Sequence, residues 1–397
     1  MIKEEKKGIC FSTMYIYYVF IFISFLVYLL LNQKYRVKMT NQYEIDFVQN
    51  SYRKELKKKK AFIIMVSILL LLIISFRDIS VGTDSYAYLK DYQINYNILP
   101  FSSFIEFIKE ENGFRVILLI LHRLGINWRG FQILYAALVT ISLGLFCYKY
   151  SDNLFITYLL YVTIGTFAMS LTGIRQTIAI ALVLFIYNLL DNKKYVPALL
   201  LYVVASSIHY TALFMIILFF LELLIKNKKR NFSFWIFIGI IIPILSYFFT
   251  KKILDIFSFL LLNKYKYSGY YTTLNSTLNP VVIIMYSILF LYILTGIILS
   301  KNKLTDKDIK FFILSSFFIG CYLASGTVYM LARLSYYFSP FFIVLLTNNI
   351  DNFYLNKRSK IVIELLLCLI CLIAFTISIP GNSYGIDNYH FSISSYS

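Results

Sequence analysis

A chain of 397 residues in which 59% are hydrophobic and only 15% charged does not read as a water-soluble globule. With a mean hydropathy of +0.71 and uncharged runs near twenty residues recurring to its end, it reads as an all-α, polytopic membrane protein. The formal charge of +18 would point to nucleic acid in a soluble chain. Here the positive-inside bias of short loops accounts for it, which removes nucleic acid as a partner and leaves the lipid bilayer.

The run from about Met14 to Leu31 follows Lys3, Lys6 and Lys7. It is too long for a signal peptide core and lacks a small-residue cleavage site, so it is expected to stay as the first span. Residues 32–60 carry nine cations, including Lys57 to Lys60, and mark a cytoplasmic loop. A second span over about 61–76 then delivers Arg77 to the outer face. From Arg77 to Arg129 the chain is polar enough to lie outside the bilayer, apart from Phe114 to Leu124. That short amphipathic segment is expected to be interfacial or re-entrant.

Spans three to five are expected over about 130–147, 153–171 and 174–190. Tyr195 to Ile225 is 31 residues, about 46 Å as one helix against a core of about 30 Å. A single span would also put Lys226, Lys228, Lys229 and Arg230 outside, so a hairpin turning near His209 is expected. Span eight covers about 232–249, and an outer segment, 250–279, is rich in tyrosine (Tyr265, Tyr267, Tyr270, Tyr271). Spans nine to twelve follow over about 280–300, 311–328, 334–349 and 361–379, ending in a short polar tail outside. The expectation is therefore about twelve spans in three regions. Residues 1–60 hold the first span and basic loop, 61–350 a core with the extracytoplasmic loop 77–129, and 351–397 the last span and tail.

Six of the ten arginines (Arg77, Arg115, Arg123, Arg129, Arg175, Arg333) fall on the outer side of this frame. Positive-inside bias explains inner lysines but not outer arginines, whose planar fork suits bidentate binding of phosphate. Arg175, in T-G-I-R-Q, stands at the outer N-terminus of its span, where unpaired N–H groups and the helix dipole favour an anion. Gly173 permits a tight entry and Gln176 offers an amide to a sugar hydroxyl. Arg333 repeats the arrangement. Near Arg77, the residues Gly82, Thr83 and Asp84 with Tyr86, Tyr88 and Tyr92 supply the hydroxyl, carboxylate and aromatic surfaces that carbohydrate binding needs.

Asp84 and Glu111 are the outer carboxylates able to act on an acceptor hydroxyl, and His209 is a third candidate base. Each of these residues also has a purely structural use, as an ion-pair partner or an interfacial side chain. No second ligand stands at metal spacing from them, and Cys368 and Cys371 lie one turn apart within an apolar run. Neither a metal site, a cofactor nor a disulfide is expected.

Taken in order, Arg77, Gly82-Thr83-Asp84, Tyr88, Glu111-x-Gly113-Phe114, Gly173-x-Arg175-Gln176-x-x-Ala179, His209 and Arg333…Tyr337-Phe338 resemble the EpsG-type branch of the Wzy-like polysaccharide polymerases. The resemblance runs over roughly residues 61–350. It implies a glycosyltransferase in the bacterial plasma membrane, acting on its outer face. The family's reaction transfers a growing exopolysaccharide or capsule glycan from an undecaprenyl-diphosphate carrier to the next lipid-linked repeat unit. A flippase and a chain-length regulator would be partners. In that setting Arg77, Arg175 and Arg333 would hold the diphosphate, with Gly82, Thr83, Tyr88, Gln176 and Tyr337 completing the substrate site. Asp84, Glu111 or His209 would act as base. The alternatives are a flippase of lipid-linked oligosaccharide, a lipid-dependent glycan ligase, and a scaffold for an assembly complex. A flippase would need polar groups at the bilayer midplane, whereas Glu222 and Glu364 lie near cytoplasmic ends.

Overall fold

The computed structural model describes residues 15–31, 44–94, 97–98, 100–225, 232–249, 252, 280–300, 304–326, 329–353, 355–378 and 385–393. Among these the secondary structure is helical, apart from one isolated bridge between Arg77 and Phe391. Tyr265, Tyr267, Tyr270 and Tyr271, the lysines at the start of the chain and the cluster from Lys226 to Arg230 lie outside the described residues.

α1 (Tyr15–Leu31) is followed by α2 (Glu44–Ser75), whose 32 residues take in the run Lys57 to Lys60. The basic loop expected over 32–60 is therefore corrected: from Glu44 onward it is helix. No Gly or Pro interrupts 44–75, and Glu, Lys and Leu are strong helix formers that carry the helix past the apolar boundary. The polar stretch 77–129, expected as a loop, holds α3 (Ser85–Ile94), α4 (Phe104–Lys109) and α5 (Asn112–Arg123). α5 buries Phe114 and Leu118 and leaves Ile120, and the Leu124 that follows it, at the surface, as an interfacial helix does.

α6 (Trp128–Tyr150) leads to α7 (Leu154–Thr163) and α8 (Thr166–Thr172). The span expected over 153–171 is in fact this pair, bent by 56° at Gly165, whose φ of +91° suits a residue without Cβ. The Ile164 carbonyl freed by the break accepts the Tyr286 hydroxyl at 2.9 Å, which lets a broken helix sit in apolar surroundings.

α9 (Ile174–Asp191) leads to α10 (Tyr195–Ile208), a 3-10 turn (Tyr210–Ile216) and α11 (Ile217–Leu224). The chain reverses at His209, where the Tyr202 hydroxyl donates to the Leu213 carbonyl at 2.8 Å. Lys193, just before α10, pairs with Glu222 near the end of α11; one straight helix would hold them about 43 Å apart.

α12 (Phe232–Phe248), α13 (Pro280–Leu299) and α14 (Asp306–Ala324) come next, then α15 (Tyr329–Ser335), α16 (Ser339–Asn348) and α17 (Lys357–Ser378). α14 begins five residues ahead of the span expected from 311, because Thr305 and Asp308 form a reciprocal capping box. The span expected over 334–349 is divided between α15 and α16.

Among the described residues, four helices are long and apolar enough to cross a membrane (α6, α9, α13 and α17), and the bent α7–α8 pair makes a fifth. The twelve-span expectation also counts helices below that length, such as α1 and α12. Large apolar side chains including Phe22, Ile64, Leu200, Phe237 and Leu365 are exposed around the bundle, which is the surface of a protein bathed in lipid rather than water.

α9 is a largely buried helix packed against α6 and α10. Its two ends, about 27 Å apart, gather different loops. Lys149 pairs with Asp191 at 2.6 Å, Lys310 with Glu222 at 2.5 Å and Lys360 with Asp351 at 2.6 Å around its C-terminal end. The loops bearing Asp84, Glu111, His209 and Arg333 meet at its N-terminal end.

Candidate active site

Arg175 occupies the first turn of α9, directly after the Gly173 N-cap. A cation there opposes the helix dipole and calls for a counter-charge. Glu111 supplies it, with Oε2 at 2.6 Å from Nη1 of Arg175. The second carboxylate oxygen of Glu111 lies against Nδ1 of His209. One buried carboxylate thus joins residues from α9 and from the α10 reversal.

Local sequence explains how Glu111 gets there. Its φ of +54° places it in the left-handed region, uncommon for a residue with Cβ and typically over-determined by its surroundings where it occurs at functional sites. It caps α5 in this conformation. Two residues on, a Cβ at Gly113 would meet Ser207 Oγ at 2.1 Å and the Ser207 carbonyl carbon at 2.7 Å. Only glycine lets α5 lie this close to the backbone of α10, and that approach brings Glu111 to His209.

Tyr88, on α3, extends the group. Arg175 Nε donates to its hydroxyl at 3.5 Å, and the guanidinium stands 5.5 Å from the Tyr88 ring and 5.9 Å from that of Phe114. Burial pushes the Tyr88 hydroxyl above its usual pKa, with Arg175 pulling partly back, so it stays a neutral hydrogen-bonding partner. One turn earlier, Asp84 Oδ2 lies 3.4 Å from Arg333 Nη2. Gln176 closes the circuit by donating its amide to the Arg333 carbonyl. Asp84, Tyr88, Glu111, Arg175, Gln176, His209 and Arg333, scattered over 250 positions of sequence, form one connected group.

The Gly82-Thr83 turn borders this group. A Cβ on Gly82 (φ +91°) would meet the Leu171 carbonyl oxygen at 2.2 Å, and the Thr83 hydroxyl lies 3.2 Å from that of Thr172. Tyr337 is fully buried and its hydroxyl accepts from Thr211 at 3.2 Å. It props the turn after His209, where the expectation is of a substrate contact.

Arg77 stands apart. It is fully buried, donates to the Ile74 carbonyl at 2.6 Å and lies over the Tyr135 ring at 5.9 Å. Around it stand the neutral hydroxyls of Tyr135, Tyr389 and Tyr17 and the cation of Arg129, and burial lowers its pKa. The expectation is of an Arg77 that grips the diphosphate; in the fold the chain closes over it and it is fully buried. Arg129 is also buried and donates to the carbonyls of Ser75 and Arg77, capping the C-terminal end of α2 as a cation should. Arg115 donates to the Asn97 carbonyl at 3.3 Å. Arg175 and Arg333 thus belong to the connected group, whereas Arg77, Arg115 and Arg129 donate to backbone carbonyls. Thr172 and Ser207 were not singled out from sequence, which carried no signal for them beyond the glycines they face.

Compared with known protein families, the chain matches the EpsG family over residues 60–396. It belongs to the EpsG family. No curated protein and no solved structure matches it. The EpsG match extends the likeness beyond 350 to the C-terminal tail, and with the apolar helices it marks a polysaccharide-polymerase type of membrane protein. Among the described residues no three His, Cys, Asp or Glu side chains converge as metal ligands do.

Proposed function

We propose that this EpsG-family chain is a glycosyltransferase that polymerises lipid-linked oligosaccharide repeat units into an exopolysaccharide or capsule. Donor and acceptor would both be carried on undecaprenyl diphosphate, at the outer face of the plasma membrane. The orientation follows from charge: the end of α9 that gathers Lys149, Lys193, Lys310 and Lys360 is the cytoplasmic one by the positive-inside rule. The opposite end, with Arg175, then faces out.

The observation that carries the reading is the contact of Glu111 with both Arg175 and His209. Glu111 is buried with both oxygens engaged, so it serves as an orienting group rather than a base. An ionised Glu111 places the imidazole proton on Nδ1 and leaves Nε2 as the basic nitrogen. His209 then takes the proton of the acceptor hydroxyl as its oxygen bonds to the donor's anomeric carbon. The anomeric C–O bond to the diphosphate breaks, and the diphosphate departs with the electron pair.

Arg175 and Arg333 are both partly exposed and stabilise the charge that develops on this leaving group. A guanidinium carries five N–H donors, so Arg175 can serve Glu111 and a phosphate together. Asp84, more exposed than Glu111, orients the acceptor through its hydroxyls. Tyr86, exposed beside the buried Tyr88, offers a stacking face to the glycan.

The test is deletion of the gene followed by analysis of surface glycan and lipid-linked intermediates. Single repeat units accumulating on the carrier at the outer leaflet are the expected result. Repeat units retained at the inner leaflet would identify a flippase instead. Full-length polymer left on its lipid carrier would identify a ligase.

A further inference from the structure

The C-terminal tail reads in sequence as a short polar end without a task. In the fold it returns across the loop that carries Gly82, Thr83 and Asp84. Ser392 donates its backbone N–H to the Phe76 carbonyl at 2.9 Å, Asp78 donates to His390 at 2.8 Å, and Gly82 donates to Gly385 at 3.0 Å. Two hydroxyls pin the same segment: Tyr389 to the Ile73 carbonyl at 2.6 Å and Tyr17 to the Ile386 carbonyl at 2.8 Å. Ile386 and Tyr389 are buried, and Tyr389 stands among the groups that enclose Arg77.

The other side of the loop is fixed by α8, whose Leu171 carbonyl lies where a Gly82 Cβ would be. Loop 76–83 is thus held between α8 and the tail. Asp84 follows directly, partly exposed and 3.4 Å from Arg333, a contact too long to fix its position unaided. The tightest point of the tail is Gly385. Its φ is +61°, and a Cβ there would sit 3.2 Å from Thr83 Cγ2 and 3.3 Å from Thr83 N.

We propose that residues 385–392 are a positioning strap, and that Gly385 and Tyr389 set Asp84 against Arg333. This rests on the polymerase reading for its consequence, though not for its geometry. The strap touches no reacting atom. It acts by holding the Gly82–Thr83 turn, and a displacement of about 1 Å at a site residue costs up to roughly 10²-fold in rate.

The test uses the full chain in proteoliposomes, with Gly385→Val and Tyr389→Phe as variants and a buried reporter, Val81→Cys, in a background whose native cysteines are alanine. Maleimide labelling at 81 is expected to accelerate about tenfold or more in Gly385→Val, and by less in Tyr389→Phe, because opening of the loop becomes more favourable. With lipid-linked repeat units as substrate, kcat per folded molecule is expected to fall about ten- to a hundredfold in Gly385→Val with KM within about twofold. Labelling unchanged by both variants would overturn the strap. Faster labelling with kcat untouched would overturn its role at Asp84, since a merely structural tail changes the amount of folded protein and not kcat. If the parent chain forms no polymer, the polymerase reading fails while the labelling rates still decide whether the tail holds the loop.

Discussion

The two ends of α9 carry the same electrostatic arrangement in different chemical form. At the N-terminal end, Glu111, 1% exposed, lies between Arg175, 33% exposed, and His209, 15% exposed. Near the C-terminal end Glu222, 3% exposed, lies between Lys193, 61% exposed, and Lys310, 8% exposed. Each glutamate is buried and has both oxygens engaged by basic side chains. The terminal charges of α9 itself, Arg175 and Asp191, both oppose the helix dipole and are offset by partners from other elements.

What differs is the basic partner. Lysine is a hydrated point charge on a flexible stem, sufficient to neutralise a carboxylate. Guanidinium and imidazole add planar, bidentate donation and a proton affinity near neutrality. One end closes the bundle; the other carries the groups that the proposed transfer needs to hold phosphate and move a proton.

The sharpest way to break this comparison is His209→Gln. If the imidazole is the base, kcat for polymer formation falls by about 10² to 10⁴ with lipid-linked repeats as substrate; a smaller loss would hand the role to Asp84. At the other end, Glu222→Gln leaves the buried Lys310 without its counter-charge and is expected to cost about 3–5 kcal/mol of stability. Thermal unfolding in detergent reads that cost, and kcat per folded molecule should not change. Arg175→Lys gives the N-terminal group the kind of cation found at the C-terminal end. Protein level should hold while kcat drops about 10²- to 10³-fold, and full activity would show that bidentate geometry is not needed.

A lesser effect is expected from Tyr88→Phe, which removes one hydroxyl beside Arg175. About 1 kcal/mol, or roughly fivefold in kcat/KM, is the anticipated loss. The least is Lys193→Met. The hydrogen bond to Glu222 raises the Lys193 pKa, so its stabilisation is fully present below the ordinary lysine pKa of about 10.4. It is lost only as pH rises through the raised folded value. Removing the lysine should flatten the decline of melting temperature across that alkaline window and change neutral pH little, since Lys193 is 61% exposed and Lys310 still pairs with Glu222.

Several features of the fold are legible without coordinates because they are written in near neighbours. Apolar runs give the helices, the length of 195–225 gives the reversal near His209, and the amphipathic run after Asn112 gives a short helix; the break at Gly165 was not legible, because one glycine within an apolar run also fits a continuous span. Candidates for a site were also readable, since the positive-inside bias leaves arginines away from the basic loops unexplained. Helix ends were less legible. α2 runs back through Lys57 to Lys60 because hydropathy marks where lipid ends, not where backbone hydrogen bonding ends.

By itself, then, the amino-acid sequence determined a helical, membrane-embedded chain of the EpsG family, with Asp84, Glu111, Arg175, His209 and Arg333 among its candidates. Only the tertiary structure decided that Glu111 serves Arg175 and His209, that Asp84 faces Arg333, that Arg77 is shut away, and that the tail clasps the 76–83 loop. Those pairings join residues 64, 98 and 249 positions apart. They are set by which backbones can approach, as at Gly113 against Ser207 and Gly82 against Leu171, and periodicity within one segment holds no record of the segment that will pack against it.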